Sequence, residues 1–123
     1  MLEAGFYTVL EQHNNDNTIQ AKVELNPTHE IFKGHFPNNP VTPGVCMLQI
    51  FKDLVEHQVE QTLMISECSN VKFMAIINPE IHPLLDLSIS YTLVDDAFYK
   101  IKATAVFDTT TAIKLNIVLK IVA

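Results

Sequence analysis

The stretch GHFPNNPVTPGVCMLQIF, residues 34–51, joins an irregular loop to the start of a helix. Its first ten residues contain His35 and three prolines, which fix the backbone and interrupt regular hydrogen bonding. Long ordered loops of this kind inside a compact domain are usually functional. Thr42 is a good N-cap residue, and Pro43 is tolerated at the first helical position. We therefore expect a helix over about 43–60.

The first half of this helix is apolar on nearly every side. The run from Val45 to Phe51 contains one strongly polar residue, Gln49, whereas the second half of the helix is amphipathic. A helix that is apolar all round is buried all round. The sequence therefore predicts that the rest of the chain encloses this helix.

Apolar and polar residues alternate in the remainder of the chain, as in strands with one buried face. The predicted strands lie at about 6–10, 19–25, 71–77, 85–93, 99–107 and 113–121. Short turns make the last three antiparallel neighbours. The expected fold is α+β, an antiparallel sheet of about six strands wrapped around one long central helix, in a single domain over 1–123. Because such a sheet has open edges, we expect a symmetric dimer.

Composition excludes several classes of function. The net charge is −6 and the eight basic residues are all lysine, which argues against a nucleic-acid partner. We expect no membrane span, because no apolar run is long enough, and no signal peptide, because the N-terminus lacks a basic start. Cys46 and Cys68 have no metal-ligand spacing and are predicted to be free thiols in the cytoplasm. We expect no metal and no cofactor.

The order Gly34-His35-Phe36-Pro37, Pro40-Val41, Pro43-Gly44-Val45 ahead of an apolar helix resembles the β-hydroxyacyl-acyl-carrier-protein dehydratases. That family has the hot-dog fold, and the predicted order of strands and helix matches it over the whole chain. The resemblance implies a lyase that converts a 3-hydroxyacyl thioester into the 2-enoyl thioester, as in fatty-acid-type biosynthesis. The acyl group would be carried on acyl carrier protein or coenzyme A. A homodimer, or a higher assembly built from dimers, is implied as well, with each site assembled across the dimer interface and its helix residue supplied by the other subunit.

The resemblance implies two catalytic positions. His35 would act on the α-carbon proton, and an unperturbed imidazole titrates at about 6.5, which suits a base near neutral pH. The position fourteen residues later is acidic in the family and is Gln49 here. A Gln amide does not ionise, although it has a carbonyl acceptor and two N–H donors. Two alternatives therefore stay open: a hot-dog acyl thioesterase in which both residues position water, and a catalytically impaired acyl-thioester-binding subunit of a heterodimer.

The predicted substrate-binding residues surround the helix start. The first N–H groups of a helix have no internal partners and lie at the positive end of its dipole. By the resemblance, Gly44 offers such a group to the thioester carbonyl, as in an oxyanion hole. Pro43, Val45 and Phe36 are expected to bind substrate beside it.

Three further features bear on the site. An acidic carrier protein would need a lysine patch, for which the candidates are Lys33, Lys72, Lys100 and Lys102. His29, six residues before His35, is a weaker candidate for the edge of the pocket. Cys46 lies near the helix start and is predicted to be a small buried apolar side chain rather than a nucleophile.

Overall fold

The computed structural model describes residues 5–32 and 41–123, which form six strands and one α-helix. A short 3-10 turn, Glu30–Phe32, follows the second strand. The strands are β1 (Tyr7–Asn15), β2 (Thr18–Leu25), β3 (Leu63–Phe73), β4 (Leu84–Val94), β5 (Phe98–Phe107) and β6 (Thr110–Ile121), and the helix is α1 (Gly44–Val59). All neighbouring strands are antiparallel, in the order β1-β2-β4-β5-β6-β3. The prediction of one antiparallel six-stranded sheet with one helix is confirmed.

One hydrophobic core joins the sheet to the helix. Alternate residues of β2, β4, β5 and β6 point inward, because side chains in a strand face opposite sides in turn. They pack in one cluster with one side of α1, which contributes Met47, Ile50, Phe51, Leu54 and Val55. Burying each large apolar side chain contributes about 1.5–3 kcal/mol. The period-two pattern of these strands therefore holds α1 against the sheet.

The helix begins one residue later than predicted, and Thr42 is not its N-cap. Pro43 occupies the cap position with extended backbone angles and makes no side-chain capping bond. The backbone N–H of Thr42 instead donates to the Ile77 carbonyl at 2.9 Å. Its hydroxyl is buried and has no hydrogen-bond partner among the described residues. The capping prediction failed because the helix starts one residue later, which puts Pro43 and not Thr42 at the cap position.

A second difference concerns burial of the helix. Val45 is 74% exposed, and Leu48 and Gln49 are only half-buried. The prediction that the helix is buried on every side is therefore wrong for a single copy of the chain. The sheet of a single protomer covers one side of α1 only.

The third strand is also displaced from its predicted position. The apolar alternation predicted a strand over 71–77, whereas β3 spans Leu63–Phe73. The pattern was misleading because β3 lies at the edge of the sheet and exposes most of its residues, so its polar segment 66–70 belongs to the strand and still pairs with β6 at Glu67 and Asn70. Register shifts on both sides of Glu67 interrupt the alternation further.

Glu56 connects the end of α1 to the start of β3. Its carboxylate accepts a hydrogen bond from Lys52 Nζ at 2.9 Å and another from the Leu63 backbone N–H at 2.8 Å. Burial acts to raise the pKa of Glu56, but the Leu63 hydrogen bond and the Lys52 charge outweigh it and lower that pKa. The charged carboxylate therefore fixes where β3 begins relative to the helix.

Replacing Phe51 with alanine tests the shared core. Phe51 is fully buried on α1, and truncating such a side chain typically costs about 3–5 kcal/mol of unfolding free energy. His57 lies on the exposed side of the same helix, so His57→Ala serves as the control, with an expected change of about 0.5 kcal/mol or less. Urea denaturation measures both variants. Equal stability of the two would contradict the packing described for α1.

Candidate functional site

The structure places four of the six predicted site residues on or beside the first turns of α1. Pro43 precedes the helix, Gly44 and Val45 open it, and Gln49 follows just over one turn later. At a rise of 1.5 Å per residue, Gly44 and Gln49 are separated by about 7.5 Å along the axis. His35 and Phe36 lie outside the described residues, so their predicted roles stay predictions.

The start of α1 presents unused hydrogen-bond donors. The N–H groups of Cys46 and Met47 donate to the Pro43 carbonyl at 3.1 and 3.3 Å. The N–H groups of Gly44 and Val45 donate to no residue in the described part of the chain. These free donors sit at the positive end of the helix dipole. This position is suited to a carbonyl oxygen or another electron-rich group.

Glycine at position 44 allows β3 to approach the helix start closely. A Cβ atom on Gly44 would lie 2.6 Å from Phe73 Cζ, closer than real Cβ contacts. Phe73 is the last residue of β3 and is 58% exposed, so its ring covers the helix start at the surface. The position of Phe73 beside Gly44 was not predicted from the sequence.

Asp53 and Tyr7 hold the side chain of Gln49. Gln49 Nε2 donates to Asp53 Oδ1 at 3.1 Å, and the Tyr7 hydroxyl donates to Asp53 Oδ2 at 3.4 Å. An ionised carboxylate only accepts hydrogen bonds, so Asp53 turns the Gln49 amide nitrogen toward itself. The Gln49 carbonyl oxygen is then left as the acceptor available to a ligand.

The Tyr7 hydroxyl keeps its proton in this network. Burial raises the pKa of Tyr7, and the charge of Asp53 and the hydrogen bond to it raise that pKa further. Tyr7 therefore stays a donor at neutral pH, and the direction of the hydrogen bonds is set. Such a network can orient a hydroxyl or a water molecule at Gln49, but Gln49 cannot protonate a leaving group.

Sequence reasoning missed Asp53 and Tyr7. The signal for Asp53 was present, because residues four apart on a helix are neighbours and Gln49 and Asp53 have this spacing. Tyr7 comes from β1, 46 residues away from Asp53 in sequence, and no local pattern connects the two.

The weaker candidates have structural roles. Cys46 is 3% exposed, and burial raises the pKa of its thiol, which confirms that it is a small buried side chain. His29 Nδ1 accepts a hydrogen bond from the Ile31 N–H at 3.1 Å, and its ring packs edge-on against Phe6. The His29 imidazole is therefore used in the loop after β2.

The concave surfaces of the described part of the chain include a groove beside α1 and a concavity on the sheet. A groove of about 1,110 Å³ lies between β1 and the second half of α1, where Tyr7 and Asp53 line it. A second concavity, of about 500 Å³, lies on the outer face of the sheet. Neither is lined by Gly44 or Gln49. Within residues 5–32 and 41–123, no group of three or more His, Cys, Asp and Glu side chains is placed to hold a metal ion.

Tyrosine titration tests the Tyr7–Asp53 hydrogen bond. Because its pKa is raised in the folded state, Tyr7 should ionise above the ordinary tyrosine value of about 10. Above that pH the unfolded chain releases this proton first, so the stability that Tyr7 contributes is lost as pH rises further. The ultraviolet difference between wild type and Tyr7→Phe should show this late ionisation, and Asp53→Asn should move it to lower pH. If Tyr7 ionised near the ordinary tyrosine pKa in both the wild type and Asp53→Asn, the contact would be contradicted.

Comparison with solved structures shows the hot-dog fold. The chain superposes on the dehydratase heterocomplex ApeI:P from Xenorhabdus doucetiae with a TM-score of 0.75 and 22% identity, covering 92% of this chain and 96% of that one. An uncharacterised protein from Erwinia carotovora subsp. atroseptica gives a TM-score of 0.69 and 23% identity, with coverage of 94% and 97%. The dehydratase domain of the CurK module of curacin polyketide synthase gives 0.53 and 14%, with coverage of 96% and 44%.

Sequence comparison identifies the family. A search of curated proteins finds no match. The model of the ApeI-like family, described as ApeI dehydratase, matches residues 11–110. No helix in the described part of the chain is long and apolar enough to cross a membrane. The match extends over most of the sheet and all of α1, and the chain belongs to the ApeI-like family of hot-dog dehydratases.

Proposed function

We propose that this protein is a 3-hydroxyacyl-thioester dehydratase whose helix residue orients the leaving hydroxyl without protonating it. Two groups that α1 provides carry the proposal: the N–H of Gly44, which donates to no described residue, and the carbonyl of Gln49, which is oriented by Asp53. Membership of a dehydratase family supports the reaction class. The acyl carrier would be acyl carrier protein or coenzyme A, and the location the cytoplasm, with one domain over 1–123.

In the proposed reaction, the thioester oxygen accepts a hydrogen bond from the Gly44 N–H. This donor stabilises the negative charge that develops on oxygen when the α-proton leaves, as an oxyanion hole does. His35 takes the α-proton, and the electron pair of the broken C–H bond forms the new double bond. The β-hydroxyl, held by the Gln49 carbonyl of the second protomer in the proposed dimer, departs as water with the proton that His35 took, which the imidazolium delivers directly or through a water molecule. The products are the 2-enoyl thioester and water.

Gln49 sets the expected rate. A positioned general acid usually contributes about 10²–10⁴ to the rate, and an amide cannot supply that contribution. We therefore propose slow dehydration for the chain alone.

The active assembly is proposed to be a dimer. β3 is an edge strand of the sheet, and a long exposed edge offers unpaired backbone groups to another chain. Exposed apolar side chains cluster near this edge and the helix start: Val45, Phe73, Met74 and Ile76. A partner on this surface would cover the exposed side of α1 and make it the enclosed central helix that the sequence predicts.

A catalytically impaired subunit of a heterodimer is the second candidate. Gln49 in place of an acid favours it, because a competent partner would then supply the missing group. A relative in the solved structures, ApeI:P from Xenorhabdus doucetiae, is a dehydratase heterocomplex. The third reading, a thioesterase that uses Gln49 to orient water, predicts release of free thiol instead of enoyl product.

One assay separates these functions. The purified protein is incubated with 3-hydroxyacyl and saturated acyl thioesters, while enoyl formation and free thiol are both followed. We expect slow enoyl formation that His35→Ala abolishes, and about a 10²–10⁴-fold gain with Gln49→Glu if only the acid is missing. His57→Ala, on the exposed side of α1, is the control with unchanged rate. Thiol release alone would support the thioesterase, and absence of both products would support the impaired subunit.

Charge substitution tests the dimer surface. Val45→Glu places a carboxylate in the exposed apolar cluster, and we expect it to convert a dimer into a monomer. His57→Glu, exposed on the same helix outside that cluster, should leave the dimer intact. Sedimentation velocity measures both. A wild-type chain that sediments as a monomer would contradict the proposed assembly.

A further inference from the structure

The outer face of the sheet carries an uncompensated group of positive charges. Lys72 of β3, Lys102 of β5 and Lys114 of β6 line the concavity of about 500 Å³ on this face. The other polar residues that line it are uncharged, and no Asp or Glu is among the lining residues. The concavity is therefore a positively charged surface on a chain whose net charge is −6. We call these three residues the lysine face.

Sheet register places these charges against each other. Lys72 and Lys114 are direct cross-strand partners, and like charges in that position are destabilising. Lys102 pairs with Asn116, and its neighbour Thr104 pairs with Lys114, so Lys102 and Lys114 are diagonal neighbours. Folding alone gives no reason for this arrangement.

Two of the four other lysines in the described part of the chain are compensated, whereas Lys100 and Lys120 make no ion pair there. Lys22 lies 3.9 Å from Asp86, and Lys52 lies 2.9 Å from Glu56. None of the three residues of the lysine face makes an ion pair within residues 5–32 and 41–123. The described part of the chain therefore supplies no carboxylate that compensates this face.

We propose that the lysine face is a docking surface for an acidic protein. Lysine is a point charge on a flexible stem and lacks the planar fork with which arginine clamps a single phosphate or carboxylate. The three lysines are exposed and come from three strands, which suits the dispersed carboxylates of a protein surface better than one small anion. This docking does not depend on the proposed reaction, because neither Gly44 nor Gln49 lines the concavity that carries the lysine face.

Peptide binding tests the proposal on the full chain. A fluorescein-labelled helical peptide rich in Glu is titrated with protein, and its anisotropy is compared with that of a matched peptide in which Gln replaces Glu. We expect only the Glu peptide to bind, and we expect salt to weaken its affinity. The affinity should fall about threefold for each lysine removed, in Lys102→Gln and in the double variant Lys72→Gln/Lys114→Gln. Lys22→Gln removes one partly exposed lysine, paired with Asp86, from another strand and should bind as wild type does.

A second measurement distinguishes function from folding. Because Lys72 and Lys114 repel each other, Lys72→Gln/Lys114→Gln should raise the Tm by about 1–4 °C while it weakens binding. A fall in Tm would show that the lysines serve the fold and would overturn the proposal. Equal affinity in Lys22→Gln and Lys102→Gln would overturn it too. Displacement of the peptide by millimolar inorganic phosphate, or preference for phosphatidylglycerol vesicles, would assign the face to a small anion or a lipid surface instead.

Discussion

The apolar surface of α1 is larger than one sheet face can cover, and the rest of the structure follows from this constraint. One side of the helix enters the core through Ile50, Phe51 and Val55, against the inward residues of β2, β4, β5 and β6. The other side keeps Val45 in solvent and leaves Gln49 half-buried. The helix thus has a side that stabilises the fold and a side left for a partner and a substrate, as proposed for this protein.

β3 is the element that relates these two sides. The Leu63 backbone N–H binds the Glu56 carboxylate near the end of α1, and the Phe73 ring lies over Gly44 at its start. The strand is therefore held at both ends of the helix while its own edge stays open. Because Lys72 precedes Phe73, one end of the lysine face lies next to the strand residue that covers the helix start.

The chemistry of the site depends on one amide whose orientation is imposed by its neighbours. Asp53 accepts the N–H of Gln49, and Tyr7 supplies a hydrogen bond to the opposite carboxylate oxygen. The raised pKa of Tyr7 keeps this arrangement unchanged at neutral pH. A Gln that presents its carbonyl can orient a hydroxyl, which fits thioester binding with slow dehydration and also fits a role beside a more active subunit.

Local patterns in the sequence determined the sheet, the approximate helix, the buried Cys46 and the family, because apolar periodicity and a contiguous motif depend on neighbours in the chain. They misplaced β3, since an exposed edge strand needs no alternation, and they placed the helix cap at Thr42, whereas the helix starts one residue later with Pro43 at the cap position. Tertiary structure alone decided the contact of Phe73 with Gly44, the link from Tyr7 to Gln49 through Asp53, and the juxtaposition of Lys72 with Lys114. Each of these joins segments far apart in sequence, so only the folded chain brings the interacting groups within reach.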